Sequence, residues 1–478
     1  MKRLLFGILL TGLSMSSVLA DPPQVLWNRT YPGVPGTCHS LLLAENGYTL
    51  GGTLQTEGWE NFLLFRTNAD GDSLWLKSYG GGGMEVFSHM APTPDGGFIM
   101  LGLTESYGTG EAEHAAIWLL KTDSDGDSVW SRTFGYQHNA ASAEYVLPAS
   151  DGGYLVVGAT STPTETSVGW LIKTDAHGDS TWMRQYRGFR PHSVLQTGAN
   201  GDYILAGNSV GDDDVFYFRI QRVTSNGDSV WSRIYETGMF CEAQDIAELP
   251  NGDFLLSGTV TDRFSGRELI VLRLEADGDT VWQRQVNASL FNDECLSLCL
   301  TNDGGCVLAG YASQVSGGST NLWIVKMAVD GTVEWNTTVS GSDYGYGQAV
   351  QQTPDGGFIL GGWTGPCAPG SCVWLVKMGL EQSSVELPPV TRRFNLLSSY
   401  PNPFNAVTEI YFVLPQEERV HLDIFNVQGR LITTLTDNRF TAGMHNVMWD
   451  AGRVPSGIYI CRMESESFTR SHKMVLLK

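Results

Sequence analysis

Positive charge is scarce in this chain. Its 30 lysines and arginines face 51 aspartates and glutamates, for a formal charge of −21. Such a surface repels nucleic acid and anionic lipid, so neither is expected as a partner. Long apolar runs are as rare. The run from Leu4 to Met15 is too short to span a bilayer stably, and no later stretch is longer, so no transmembrane segment is expected. The eight cysteines include no Cys-x-x-Cys pair and no histidine cluster accompanies them, which argues against a metal centre. The glycine-rich turns do not lead into helices, as a phosphate loop requires, and a Gly-x-Ser-x-Gly nucleophile turn is likewise not expected. No cofactor is expected.

What the chain has is a repeat. A tryptophan returns at Trp27, Trp75, Trp130, Trp182, Trp231, Trp282 and Trp335, about every 51 residues. Each unit holds four short apolar segments, A to D. In one copy these are Ala143 to Ala149, Tyr154 to Ala159, Trp170 to Thr174 and Ser180 to Tyr186. They are rich in Val, Ile, Leu, Tyr and Trp and are bounded by Gly or Asp, so they read as strands, with no room for a helix between them. The A–B turn carries Asp-Gly-Gly or a variant, around Gly47, Gly96, Gly152, Gly201, Gly252, Gly304 and Gly356. The C–D turn carries Gly-Asp-Ser, as at Gly71, Gly126, Gly178 and Gly227. Tight hairpins need the positive φ that Gly tolerates.

Several short strands per 50-residue unit predict an all-β, seven-bladed β-propeller. The first D segment, Leu26 to Tyr31, precedes any A, and the last C, Trp374 to Lys377, has no D after it. The N-terminal strand is therefore expected to complete the seventh blade and close the ring. The repeated tryptophan is expected to pack between neighbouring sheets. Loops D–A and B–C then share one face and are longer and more varied than those opposite. Tyr107, Tyr136, His138, Phe189, Arg190, His192, Phe240, Phe291, Tyr344 and Tyr346 fall there, and a ligand is expected on that face if one binds. Asp123-Ser124-Asp125-Gly126-Asp127 alternates oxygens as calcium loops do, but its glycine falls fourth rather than sixth and Phe134 stands at position twelve, so a hairpin turn is favoured.

Residues 1–20 read as a secretory signal: Lys2-Arg3, an apolar run, then Val18-Leu19-Ala20 before cleavage at Asp21. Export permits disulfides. Cys367 and Cys372 flank Ala-Pro-Gly-Ser in one tight loop and are the first candidate pair; Cys299 and Cys306, around another turn, are the second. The repeat region fills 21–378. Residues 379–393, with Pro388-Pro389, read as a linker. Residues 394–478 alternate as a small antiparallel β-sandwich does.

This tail closely resembles the C-terminal sorting domain of type IX (Por) secretion cargo, an Ig-like fold. The residues carrying the resemblance are Tyr400, Asn402, Pro403, Phe404, Asn405, Gly429, Arg430, Gly443, His445, Trp449, Asp450, Gly457, Tyr459 and Lys473. Ala406 departs from the family, which often has a second proline there. The resemblance implies export through the periplasm, the type IX secretion machinery as a partner, and a final place on the cell surface or outside the cell. The repeats resemble uncharacterised propeller repeats joined to such tails. They also resemble pyrroloquinoline-quinone-type repeats, through Gly126 to Trp130 and Gly278 to Trp282, in the structural part of that motif alone. There is no Cys-Cys pair of the quinone dehydrogenases. The sialidase box Ser-x-Asp-x-Gly-x-Thr-Trp is not matched by Asp125 to Trp130 either. No catalytic residues are assigned. The reading favoured is a secreted or surface scaffold, not an enzyme, binding a glycan or a protein. The alternative is a propeller enzyme, such as a glycan-acting hydrolase or lyase, with its site on the D–A/B–C face.

Overall fold

Short β-branched and aromatic runs bounded by glycine fold here as antiparallel strands, and no helix occurs among the described residues. The computed structural model describes residues 19–478 except 57, 109–114, 135–140, 161–167, 199–200, 211–214, 263–265, 288–291, 314–318, 368–369, 382–395, 401–403, 415–417, 441–442, 453, 466–468 and 478. Residues 1–18 of the expected signal segment and most of the expected linker lie outside them. The chain divides into two compact units, one holding Leu19–Ser383 and the other Ser384–Lys478.

The larger unit repeats a four-stranded meander. Strands β1 (Val25–Ala44), β2 (Gly47–Gln55), β3 (Glu60–Asn68) and β4 (Ser73–Tyr79) are followed by β5 (Glu85–Pro92), β6 (Phe98–Thr104), β7 (Ala116–Thr122) and β8 (Ser128–Phe134). Next come β9 (Ala141–Pro148), β10 (Tyr154–Thr160), β11 (Val168–Thr174), β12 (Ser180–Arg187), then β13 (Phe189–Thr197), β14 (Asp202–Val210), β15 (Phe216–Val223), β16 (Ser229–Tyr235). Two more sets are β17 (Met239–Glu248), β18 (Phe254–Asp262), β19 (Gly266–Leu274), β20 (Thr280–Val286), and β21 (Asp293–Leu300), β22 (Cys306–Ser313), β23 (Thr320–Met327), β24 (Val333–Val339). The last three are β25 (Tyr344–Gln352), β26 (Phe358–Cys367) and β27 (Gly370–Met378). Each set from β5–β8 to β21–β24 is its own four-stranded sheet. Strand β1 serves two partners: Val25 to Thr30 pair with β27, and Gly36 to Ala44 pair with β2, so one seven-stranded sheet runs β25-β26-β27-β1-β2-β3-β4. The architecture is all-β and propeller-like.

One contact recurs between consecutive sheets. Trp75, Trp130, Trp182, Trp231 and Trp282, each on a fourth strand, lie on the turn glycine of the next sheet: Gly126, Gly178, Gly227, Gly278 and Gly331. Trp27, on the β1 segment that pairs with β27, lies on Gly71 in the same way. All six glycines have φ between 79° and 89°, and a Cβ at Gly178 would sit 2.5 Å from the Trp130 ring. The turn thus needs glycine twice, for its backbone and for the indole that covers it. The tyrosines that follow reach the same carbonyls: Tyr31 donates to Gly71 O at 2.6 Å, Tyr186 to Gly227 O at 2.9 Å and Tyr235 to Gly278 O at 2.7 Å.

The acidic A–B turns are half of a buried ion-pair motif. The third-strand lysines Lys121, Lys173, Lys326 and Lys377 are buried, and their ammonium groups meet Asp95 at 2.8 Å, Asp151 at 2.8 Å, Asp303 at 2.7 Å and Asp355 at 3.1 Å. A buried charge requires such a partner. Lys326 also meets Glu334 at 2.8 Å, so its ammonium group occupies the cluster of Asp303, Glu334 and Glu381.

Cys372 is in a disulfide, while the side chain of Cys367 lies outside the described residues. The second candidate pair does not form: Cys299 and Cys306 are both free. Cys299 stands opposite Val307, so it shares that residue's face, and Cys306 points to the other.

In the smaller unit, β28 (Leu396–Tyr400), β29 (Val407–Leu414), β30 (Glu418–Asn426), β31 (Leu431–Phe440), β32 (Gly443–Asp450), β33 (Gly457–Ser465) and β34 (Thr469–Leu476) form two antiparallel sheets, β28-β29-β32 and β31-β30-β33-β34. They share one core that includes Ile410, Phe412, Ile424, Trp449, Cys461 and Met463.

Candidate functional site

The first strands of the repeats carry a second recurring device. Each has a β-bulge at the same place, and the bulged residues are His39, Ser88, Glu144, His192, Gln244, Leu296 and Gln348. A bulge re-aims its side chain. The residue after the bulge is often spent on the neighbouring sheet. Ser40 Oγ accepts from Met90 N at 3.1 Å, Asp245 from Leu298 N at 3.1 Å and Ser297 Oγ from Val350 N at 3.4 Å. Consecutive first strands touch in sequence order, and β25 also touches β1.

At β13 and β17 the bulges open a cavity of about 560 Å³, lined by Arg190, His192, Asn208, Phe216, Phe240, Glu242, Gln244, Thr261 and Arg267. Glu144 approaches Arg190 at 3.3 Å and His192 at 3.6 Å. Burial works against the charge on Glu144, yet His192, Ser142 and Arg190 hold its pKa down to about 2. Asn208 donates to His192 Nε2 at 3.3 Å and accepts from Ala243 N at 2.8 Å, so it ties β14 to both bulged strands. Arg267 pairs tightly with buried Glu294 and lies 3.9 Å from Glu242. Phe240 and Phe216 form the apolar wall, ring centroids 6.1 Å apart, 47% and 36% exposed. Phe240 is also the one non-glycine residue with positive φ, 52°, among the described residues. A bulky side chain in the left-handed region costs about 1–3 kcal/mol, and such strain concentrates at binding and active sites.

The structure thus brings Arg190, His192 and Phe240 together. Phe189 is separate: it is wholly buried, with the Arg219 guanidinium 4.7 Å from its ring centre, so it belongs to the core and not to a ligand face. Tyr344 and Tyr346 form another aromatic group with Trp363, the Tyr346 and Trp363 rings stacked at 4.1 Å. Tyr107 packs on Trp118. Tyr136, His138 and Phe291 lie outside the described residues. The residues named from the sequence omit Phe216 and Arg267, at the starts of β15 and β19, and Glu242 and Gln244, within β17. Nothing in their types marks them; for Gln244 only the register of the bulge does. Gly207 to Gly211 does spell Gly-x-Ser-x-Gly, but Ser209 lies within β14, buried, and donates to Gly188 O at 2.9 Å. It is not a nucleophile on a strand-to-helix turn. In the calcium-like loop, Asp123 Oδ1 accepts from the amides of Asp125 and Asp127 at 3.0 and 2.8 Å, holding the turn.

The inner strands also carry titratable groups away from the cavity. Burial lowers His39 and His89 to about 4, and His89 stacks on Tyr145 at 3.7 Å. Their neutral forms therefore stabilise the fold above pH 6.5, and that contribution is lost as pH falls through 4, up to about 3 kcal/mol each. Asp245 runs the other way. Burial raises it to about 6, so its contribution is present at low pH and lost as pH rises through 6. The paired Asp95 stays charged down to about 2, because Lys121 and Thr93 bond it. Two histidines outweigh one aspartate, and stability is expected to drop by about 3 kcal/mol between pH 7 and 4. Urea melts across that range check this; an equal slope in His39→Gln/His89→Gln would refute the assignment.

In the tail, Phe404 is buried and bonded to β34 through Phe404 N to Val475 O at 2.9 Å and Leu477 N to Phe404 O at 2.7 Å. Its ring meets Trp449 at 5.3 Å, and Trp449 meets Tyr459 at 5.2 Å. Tyr459 donates to Pro455 O at 2.6 Å. Gly429, φ 77°, closes the Asn426 turn, whose side chain accepts from Gln428 and Arg430 N, both at 3.0 Å. Arg430, Asn405, Gly457 and Lys473 are exposed; Gly443 pairs with Leu414 at the start of β32, and Tyr400 with Glu409 on β28. Asn402 and Pro403 lie outside the described residues. Residues 398–477 match the family model of the secretion system C-terminal sorting domain. The chain carries that sorting domain. It indicates export by type IX secretion, to the cell surface or the extracellular space, and contact with that machinery.

No curated protein matches the chain. Among solved structures it is similar to PorZ, a bacterial surface component of the type-IX secretion system of Porphyromonas gingivalis, at 12% identity and TM-score 0.39, over 92% of this chain and 59% of that one. It is also similar to a puromycin hydrolase, at 12% and 0.46, over 83% of this chain and 62% of that one. A protein of unknown function from Dyadobacter fermentans is similar at 9% and 0.43, over 62% of this chain and 95% of that one. The chain therefore spans about three fifths of the first two. Likenesses this distant carry no argument about activity.

Proposed function

We propose that residues 21–378 form a seven-bladed propeller closed by the N-terminal strand, and that it is a non-enzymatic scaffold binding a glycan or protein outside the cell. The Ig-like tail delivers it there. Closure is supported by the pairing of β1 with both β27 and β2, and by Trp27 meeting Gly71 as Trp75, Trp130, Trp182, Trp231 and Trp282 meet their glycines. The ligand is placed in the cavity between β13 and β17. The observation that carries this is Phe240, an exposed aromatic held at φ 52° over a lined cavity. A scaffold is favoured over a hydrolase because the carboxylates there are engaged with arginines, Glu144 with Arg190, and Glu294 and Glu242 with Arg267, instead of facing each other across an open gap as a glycosidase pair does.

Phe240→Gly tests the reading. Glycine relieves the backbone strain, so the melt should be unchanged or slightly raised, while the aromatic wall is lost. Capture of envelope glycans and proteins by the full chain should fall at least about tenfold, near 1.4 kcal/mol. Undiminished capture would remove the cavity from the function.

A further inference from the structure

Taking the cavity to be the ligand site, as proposed above, its chemistry narrows what enters. Both arginines are already neutralised, Arg190 by Glu144 at 3.3 Å and Arg267 by Glu294 and by Glu242 at 3.9 Å. Among the described lining residues no guanidinium is left over to hold an anion. A purely apolar ligand would strip water from the polar atoms of Gln244, Glu242, Thr261 and Arg190 without replacing their hydrogen bonds, which is costly. The matching ligand has many hydroxyls, no charge and one apolar face. Planar amide, carboxylate and guanidinium groups each present paired donors or acceptors that neighbouring hydroxyls can meet. The exposed Phe240 ring, backed by Phe216, offers a surface for ring C–H groups. The volume of about 560 Å³ suits one or two ring units.

We propose that the β13/β17 cavity binds a neutral sugar unit of a glycan, with the sugar face on Phe240 and its hydroxyls on Gln244, Glu242 and Arg190. Because no net charge pairs across the contact, binding is insensitive to salt.

Saturation-transfer NMR on the full chain, with methyl glycosides of glucose, galactose, mannose and N-acetylglucosamine and with methyl glucuronide as the charged control, tests this. At least one neutral glycoside should receive saturation at millimolar concentration, equally at low and high salt. Its affinity should fall about tenfold or more in Phe240→Gly and in Gln244→Ala, at unchanged melting temperature. Binding of the glucuronide alone, with salt sensitivity, would overturn the neutral-sugar proposal while leaving the cavity reading intact. So would silence from every glycoside when Phe240→Gly still abolishes capture of envelope material. If neither glycosides bind nor capture depends on Phe240, both fall.

Discussion

Deleting Asp21 to Tyr31 should leave the larger unit without a cooperative melt. The deletion strips the partner from β27, whose Trp374 and Val376 are wholly buried, and leaves an open strand edge. The Trp374 indole N–H loses its acceptor, Asn28 Oδ1, and Gly71 loses both the Trp27 ring and the Tyr31 hydroxyl. Each loss resembles a core truncation or an orphaned polar group, and together they exceed about 5 kcal/mol, comparable to the whole stability of a domain. Trp27→Ala is the milder form and should cost about 2–4 kcal/mol, because the ring is half-buried. Calorimetry decides: one sharp transition at the parental temperature in the deletion protein would rule out ring closure through this strand.

Removing residues 394–478 should stop export while sparing the fold of the rest. The two units have separate cores, so the truncated protein should melt as the larger unit does in the full chain. In a host with type IX secretion it should accumulate in the periplasm. Trp449→Ala in the full chain is the finer probe. Trp449 is buried between Phe404 and Tyr459, and its loss should cost the tail about 3–5 kcal/mol. Export should fall with it, although no surface residue of the tail has changed. Fractionation showing parental amounts of either variant outside the cell would refute the sorting role.

The repeat made the strands legible, because Asp-Gly-Gly and Gly-Asp-Ser mark turns by backbone need alone. It did not reveal why those turns are acidic. Asp95 and Asp151 look like solubilising charge until the burial of Lys121 and Lys173 is seen, and lysine in an apolar run reads as an exception, not a partner. The periodic fourth-strand tryptophans were visible too, but a second set, Trp118, Trp170, Trp323 and Trp374, recurs at one position of four third strands and is buried, each 3% exposed or less. Of the aromatic and basic loop residues named from the sequence, Arg190, His192 and Phe240 line one cavity, whereas Phe189 is buried in the core. Whether a residue at a strand's start points out or in depends on the bulge, and a one-residue change in register reverses the face. The composition of a segment does not carry that information.

The double duty of β1 also sets an order of events. Asn28 must find Trp374, 346 residues later in the chain. Until the ribosome and the export channel have delivered that far partner, the first strand has nothing to pair with on one side. Contacts so distant are slow to form, and the waiting segment is an open template for wrong partners. The chain is therefore expected to cross the inner membrane before its last sheet is complete. The sorting domain follows that final contact closely in sequence, so by the time the tail can be read, every strand of the seven-stranded sheet has arrived.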